Sequence, residues 1–139
     1  MAVVLDASVF VSAAIQRGSS YRLVESWLTG RANFEIVMCP ALFDEDHEVL
    51  LRRPRLRKWV SLETAKLYVS TIETLVDLVD DPGGTRSEKR DPTDDFIIAL
   101  ARENDAVLIV SGDKDLLEWE KQDPPVMTPS QFEEHLRTI

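Results

Sequence analysis

Four acidic side chains, Asp6, Glu45, Asp94 and Asp113, fall at or just beyond the ends of segments that read as buried β-strands. Asp6 follows the apolar run 2–5, and Asp113 closely follows the run 107–110. Glu45 and Asp94 lie in the early turns of helices that neighbour the segments 35–38 and 75–79, which also read as strands. In an open parallel sheet the carboxyl ends of the strands share one edge, and ligands bind in the crevice there. Acids from distant parts of the chain would meet at that edge. Crowded carboxylates repel one another unless a cation sits among them, and hard oxygen donors of this kind suit Mg²⁺ or Mn²⁺. Such an ion lowers the pKa of a bound water and stabilises charge on a phosphoryl oxygen.

Each acid taken singly has a plainer explanation. Asp6 and Asp113 can cap the helices that follow them, and Asp94 and Asp95 favour a first turn through the helix dipole. Glu45 sits in the tract Asp44-Glu45-Asp46-His47-Glu48, which reads as a wet helix face. Independent capping, however, does not require one acid at every ligand-facing strand end. Asp94 and Asp95 are adjacent and project about 100° apart, so one can face the sheet edge while the other faces solvent. Asp113 and Asp115 can both reach the edge, and Ser8 offers a hydroxyl to it. Other chemistries lack their residues. There is no glycine-rich phosphate loop, no pair of cysteines and no Ser/His/Asp elbow. Asp6-Ala7-Ser8 carries a hydroxyl where an Asp-x-Asp phosphotransferase needs its second acid.

The elements that must position these residues alternate along the chain. Residues 2–5 form a strand, and Ser8 opens a helix to Ile15. Gly18-Ser19-Ser20 breaks that helix and caps the next, from Tyr21 to Leu28. After the second strand, Pro40 begins a helix to about Leu51. A long helix starts at Ser61 and merges into the third strand; Asp81-Pro82-Gly83-Gly84 breaks the chain, and 83–90 read as a loop. A helix runs from Asp94 to Asn104, a short one from Asp113 to Trp119. Val126-Met127 reads as an edge strand, and Thr128 opens a terminal helix from Pro129. The pattern predicts one domain over 1–139 in the α/β class, a three-layer α/β/α sandwich with a mainly parallel central sheet.

Hydrophobic residues make up 44% and charged residues 29%, the balance of an ordinary globular domain. No apolar run suits a membrane span or a leader peptide. The single cysteine, Cys39, reads as a small buried hydrophobe and fits a cytoplasmic setting. The net charge of −9 argues against a nucleic-acid partner, although carboxylates built for a metal account for part of it. Arg52, Arg53, Arg55, Arg57 and Lys58 cluster, either as a solvated helix end or as a phosphate-contacting patch. Trp59 beside them reads as packing, with base stacking as the alternative.

These residues resemble the PIN-domain ribonucleases, in the branch related to the VapC toxins of toxin–antitoxin systems. The opening Val3-Val4-Leu5-Asp6-Ala7-Ser8 looks like that family's first strand and first acid. Glu45, ahead of Glu48-Val49-Leu50 and Arg53-Pro54, falls where the second acid does. Asp91-Pro92-Thr93-Asp94-Asp95 resembles the third-acid helix, and Ser111-Gly112-Asp113-Lys114-Asp115 the fourth-acid segment. The resemblance spans essentially the whole chain. It implies an endonuclease that uses Mg²⁺ or Mn²⁺ to cleave single-stranded RNA, with an antitoxin partner and a homodimer. On this reading Asp6, Asp94 and Asp113 hold the ions, Glu45 completes the pocket, Asp115 and Asp95 assist, and Ser8 and Ser111 fix water or phosphate. The basic cluster 52–58 would direct the RNA strand. Two positions depart from the family pattern: Asp46 stands where an apolar residue is commoner, and Asp95 doubles the third acid. Two competing readings are a catalytically weak binding module that engages a partner protein, and a phosphatase acting on small phosphate esters.

Overall fold

The protein is described by a computed structural model that covers residues 1–83, 92–120 and 122–139, the side chains of 92–95 excepted. Strands β1 (Ala2–Leu5), β2 (Glu35–Met38), β3 (Asp77–Leu78), β4 (Leu108–Val110) and β5 (Val126–Met127) form one sheet in the order β3-β2-β1-β4-β5. Every pairing is parallel. Helices α1 (Ala7–Ile15), α2 (Ser19–Leu28), α3 (Pro40–Arg52), α4 (Leu62–Leu75), α5 (Pro92–Glu103), α6 (Lys114–Leu117) and α7 (Pro129–Arg137) complete an α/β/α sandwich. None of the described helices is long and apolar enough to cross a membrane.

The core is built where the sequence is continuously apolar. Val3, Val4, Leu5, Ile36, Val37, Met38 and all of β4 are buried, as strands covered on both faces must be. Phe10 packs edge-on against Trp27, and Phe34 against Phe132, tying α1 to α2 and α7 to the sheet. A second cluster, Leu50, Leu56, Val60, Ala65 and Val69, joins α3, a 3-10 helix over Pro54–Lys58, and α4.

Three local expectations are corrected. The third strand is not buried: it is a two-residue edge strand, with Leu78 58% exposed. The apolar residues before it belong to the end of α4, so their hydrophobicity reflects a helix face. Helix α1 begins at Ala7 with Asp6 in the capping position, and Ser8 lies inside the helix rather than ahead of it. Trp59 is not packed away but 56% exposed, with Lys58 Nζ 5.6 Å from its ring centre.

The cap of α3 comes from far along the chain. Its capping residue, Cys39, makes no side-chain cap, and a thiol is a weak acceptor. Asp81, beyond β3, accepts instead from the Ala41 N–H at 2.9 Å. Burial, with the Asp81 charge adding to it, pushes the Cys39 thiol up to about 11, so it is a neutral core group. At the other end of the chain, Thr128 and Gln131 form a reciprocal capping box on α7.

Candidate active site

The strand order reverses between β1 and β4, and this is where an open α/β sheet leaves a crevice at its carboxyl edge. Both strands are fully apolar up to that edge, then turn polar at once. The ladder pairs Val3 with Leu108, Val4 with Ile109 and Leu5 with Val110. It runs one residue further, because the Asp6 N–H donates to the Val110 carbonyl at 3.0 Å. Asp6 therefore leaves the sheet on rigid backbone. Its carboxylate does not cap α1, so it is left to face the crevice.

Ser111 ties the two strand ends together. It is completely buried, and its hydroxyl donates to Asp6 Oδ2 at 2.7 Å while accepting from the Asp113 N–H at 2.9 Å. A hydrogen bond to a carboxylate at this length is of the strong, charge-assisted kind. The Ser111 N–H donates to the Met127 carbonyl at 2.9 Å, anchoring the residue to β5 as well. Ser8 adds a longer contact, 3.4 Å, to the same Asp6 oxygen. Asp113 accepts from the Asp115 N–H at 3.0 Å and so caps α6, with Asp115 following in its first turn. Asp6 and Asp113 line one open cleft of about 510 Å³, together with Ser8, Ser12 and Ser20. Sequence reading missed Ser12 and Ser20. The four-residue spacing of Ser8 and Ser12 puts them on one face of α1, which was a usable signal; Ser20 arrives only through the packing of α2.

Helix α3 brings a second pair of acids. Glu45 is at the surface, and its carboxyl is raised above the ordinary range by partial burial and by the charge of Asp6. Glu45 thus feels the Asp6 charge, although it does not line the cleft that Asp6 and Asp113 share. Asp46, the next residue, is buried. It is 1% exposed, and neither carboxyl oxygen has a hydrogen-bond partner. Burial first, and then the charges of Glu45 and Asp6, push it up to about 8, so it is mostly protonated at neutral pH. The tract 44–48 is thus not uniformly wet. Leu42, Asp46 and Leu50 share the buried row of α3 at four-residue spacing, and that spacing was readable in the sequence.

The remaining candidates fall into two groups. The side chains of Asp94 and Asp95 lie outside the described residues. Their helix, α5, packs on β1 and β4 and leads into β4, so its first turn starts at the carboxyl edge of the sheet. Among the described residues, no three His, Cys, Asp or Glu side chains stand close enough together to hold a metal ion. The donors that do converge, the carboxylates of Asp6 and Asp113 with hydroxyls around them, are the hard oxygen type that Mg²⁺ and Mn²⁺ take.

The basic cluster is divided. Arg52 lies seven residues beyond Glu45 on α3, about 10 Å along the helix axis, and its Nε is 3.8 Å from Glu48. Arg57 turns inward, where Nη2 donates to the Leu50 carbonyl while Nε and Nη1 are buried without partners. Arg53, Arg55 and Lys58 are exposed. An open apolar groove of about 430 Å³ lies beyond the cleft, between α1, α2 and α4, with Trp59 at its rim.

A comparison with curated proteins finds no match. A family model described as "PIN domain" matches residues 2–115, which carry β1 through the first turn of α6 and every candidate acid. PIN domains are in general nucleases, act on nucleic acids and use divalent metal ions.

Proposed function

The chain belongs to the PIN-domain family, and on that premise we propose that it is a divalent-metal-dependent endoribonuclease that cleaves single-stranded RNA, acting as the toxin of a toxin–antitoxin pair. One observation supports the reading above the others. Asp6 and Asp113, more than a hundred positions apart in sequence, are joined through a single buried hydroxyl at the switch point of the sheet.

In this proposal Asp6, Asp94 and Asp113 would hold Mg²⁺ or Mn²⁺, with Glu45 closing the pocket and Asp95 and Asp115 as further oxygen donors. The bound ion would supply a water of lowered pKa and a counter-charge for the scissile phosphate. Ser111 holds the Asp6 carboxylate and the Asp113 backbone in fixed register. Ser8, Ser12 and Ser20 present hydroxyls along the cleft to donate to phosphate oxygens. Arg53, Arg55 and Lys58 are the exposed cations that offset the acidic surface for a phosphate backbone. Arg52 and Arg57 belong to the same cluster, but their pairing to Glu48 and Leu50 makes them minor contributors. The antitoxin partner, a homodimer and a cytoplasmic setting are part of the same proposal, and the apolar groove beside Trp59 is the surface that supports a partner segment.

The test is cleavage of a labelled single-stranded RNA with Mg²⁺ or Mn²⁺, against a chelator control. Asp6→Asn and Asp113→Asn should each lower the rate by more than about 100-fold, with unchanged circular dichroism. Full activity in both variants would overturn the assignment. Hydrolysis of a generic phosphate ester with RNA left intact would point to the phosphatase reading. No metal-dependent rise in melting temperature at millimolar Mn²⁺ would point to the binding module.

A further inference from the structure

Ser20 is a buried hydroxyl that the protein itself leaves idle. It lies in the first turn of α2, is 7% exposed, and lines the cleft that Asp6 and Asp113 share. Among the described residues nothing donates to its hydroxyl or accepts from it. Folded proteins rarely tolerate that state unless a water, an ion or a ligand completes it. The other serines of α2 are spent, Ser19 donating to Glu133 at 3.2 Å and Ser26 to the Leu23 carbonyl at 3.3 Å. The backbone around Ser20 is equally rich in donors. Gly18, the capping residue, has no side chain to offer, and the Arg22 N–H opens the helical ladder by donating to the Gly18 carbonyl at 3.0 Å. The N–H groups of Ser19, Ser20 and Tyr21 then have no acceptor among the described residues. Orphan N–H groups at the positive end of a helix dipole favour an anion. The Arg22–Glu133 pair, at 2.6 Å, pins this end of α2 to α7, whose Pro129 lines the same cleft.

Connectivity sets these donors apart from the acids. Residues 16–18 alone join α1 to α2, so α2 starts from the end of α1 remote from Asp6. Ser12, which lines the cleft with Ser20, stands six positions beyond Asp6, about 9 Å along the helix axis. We propose that the first turn of α2 is a phosphate subsite, where the Ser20 hydroxyl and the N–H groups of residues 19–21 hold the RNA phosphate next to the one that is cut. The inference rests on the nuclease reading above and deepens it. The carboxylates of Asp6 and Asp113 need an ion before they can face a phosphate, whereas the donors of α2 do not.

The test compares a dinucleotide joined by one phosphate with the same dinucleotide carrying a further phosphate at its 5′ or its 3′ end. Cleavage with Mn²⁺ is followed for wild type, Ser20→Ala and Ser20→Asp. In wild type the added phosphate, at one of the two ends, should raise kcat/KM about tenfold or more, the worth of charge-assisted hydrogen bonds. Ser20→Ala should lose most of that gain and Ser20→Asp all of it. The aspartate guards against a folding failure, because an acid in a first turn agrees with the helix dipole while repelling a phosphate. A purely structural role for Ser20 would slow all the substrates alike and leave their ratios unchanged. Gains within about twofold of wild type in both variants would overturn the subsite and leave the nuclease standing. So would a wild type that cuts long RNA but gains nothing from a terminal phosphate. A wild type that cuts no RNA with Mn²⁺ would overturn both.

Discussion

In the metal-free protein Asp46 should make stability fall as pH rises. Its carboxyl titrates at about 8 in the folded chain against an ordinary 3.8. Between those two values the native state keeps a proton that the unfolded chain has released. Unfolding therefore sheds a proton, and each pH unit in that window costs the native state about 1.4 kcal/mol. The loss begins near pH 4, grows through neutrality and levels off above pH 8, where both states are ionised. From pH 5 to pH 7 it amounts to about 2–3 kcal/mol, a large share of the roughly 5–15 kcal/mol that holds a domain of this size together. Because the side chain is buried, solvent screening takes little from this figure. The assay is urea unfolding in chelator at pH 5, 6, 7, 8 and 9, for wild type and Asp46→Asn. Subtracting the two removes every other titrating group that Asp46 does not touch. The amide does not titrate, so whatever packing cost it carries is constant, and the difference between the two proteins should shift in favour of the variant as pH rises. A difference that stays flat across the series would show that Asp46 is solvated or paired in solution, and the reasoning from its burial would fail.

Ser111→Ala removes the hydroxyl that serves both Asp6 and the Asp113 N–H. It should cost about 2–4 kcal/mol by urea unfolding and slow RNA cleavage by about 10–100-fold, with Ser8→Ala much milder because its contact is longer and exposed. Asp81→Ala leaves the first turn of α3 without its cap, and should lower stability by about 1 kcal/mol, read as a fall in the urea midpoint at unchanged slope.

The parts of the site that were legible in the sequence are those where an apolar strand meets an acid directly. Leu5-Asp6 and Val110-Ser111-Gly112-Asp113 announce both the strand and its functional end, since a continuous buried run cannot continue into a charged residue. The helix from Pro40 and the terminal helix opened by Thr128 were equally plain, because proline at a first turn and a capping Thr act locally. Residues whose role is set by distant chain were not legible. Asp81 sits in a segment that looks only like a break, and its bond to Ala41 depends on β3 lying beside β2. Arg57 and Trp59 exchanged their expected places, the cation turning inward and the indole outward. Composition cannot decide which side of a 3-10 turn faces the core. The third strand misled because a helix end and an exposed edge strand, run together, imitate one buried segment.

The backbone bond from Asp6 to Val110 has a last consequence. It ties Asp6 to the middle pair of strands, the buried part of the sheet. Fraying of the exposed edge strand β3 would leave that corner in place, because it is held by the central β1–β4 pairing. If the proposed nuclease reading holds, selection among substrates would have to come from the surrounding helices and turns rather than from movement of this corner.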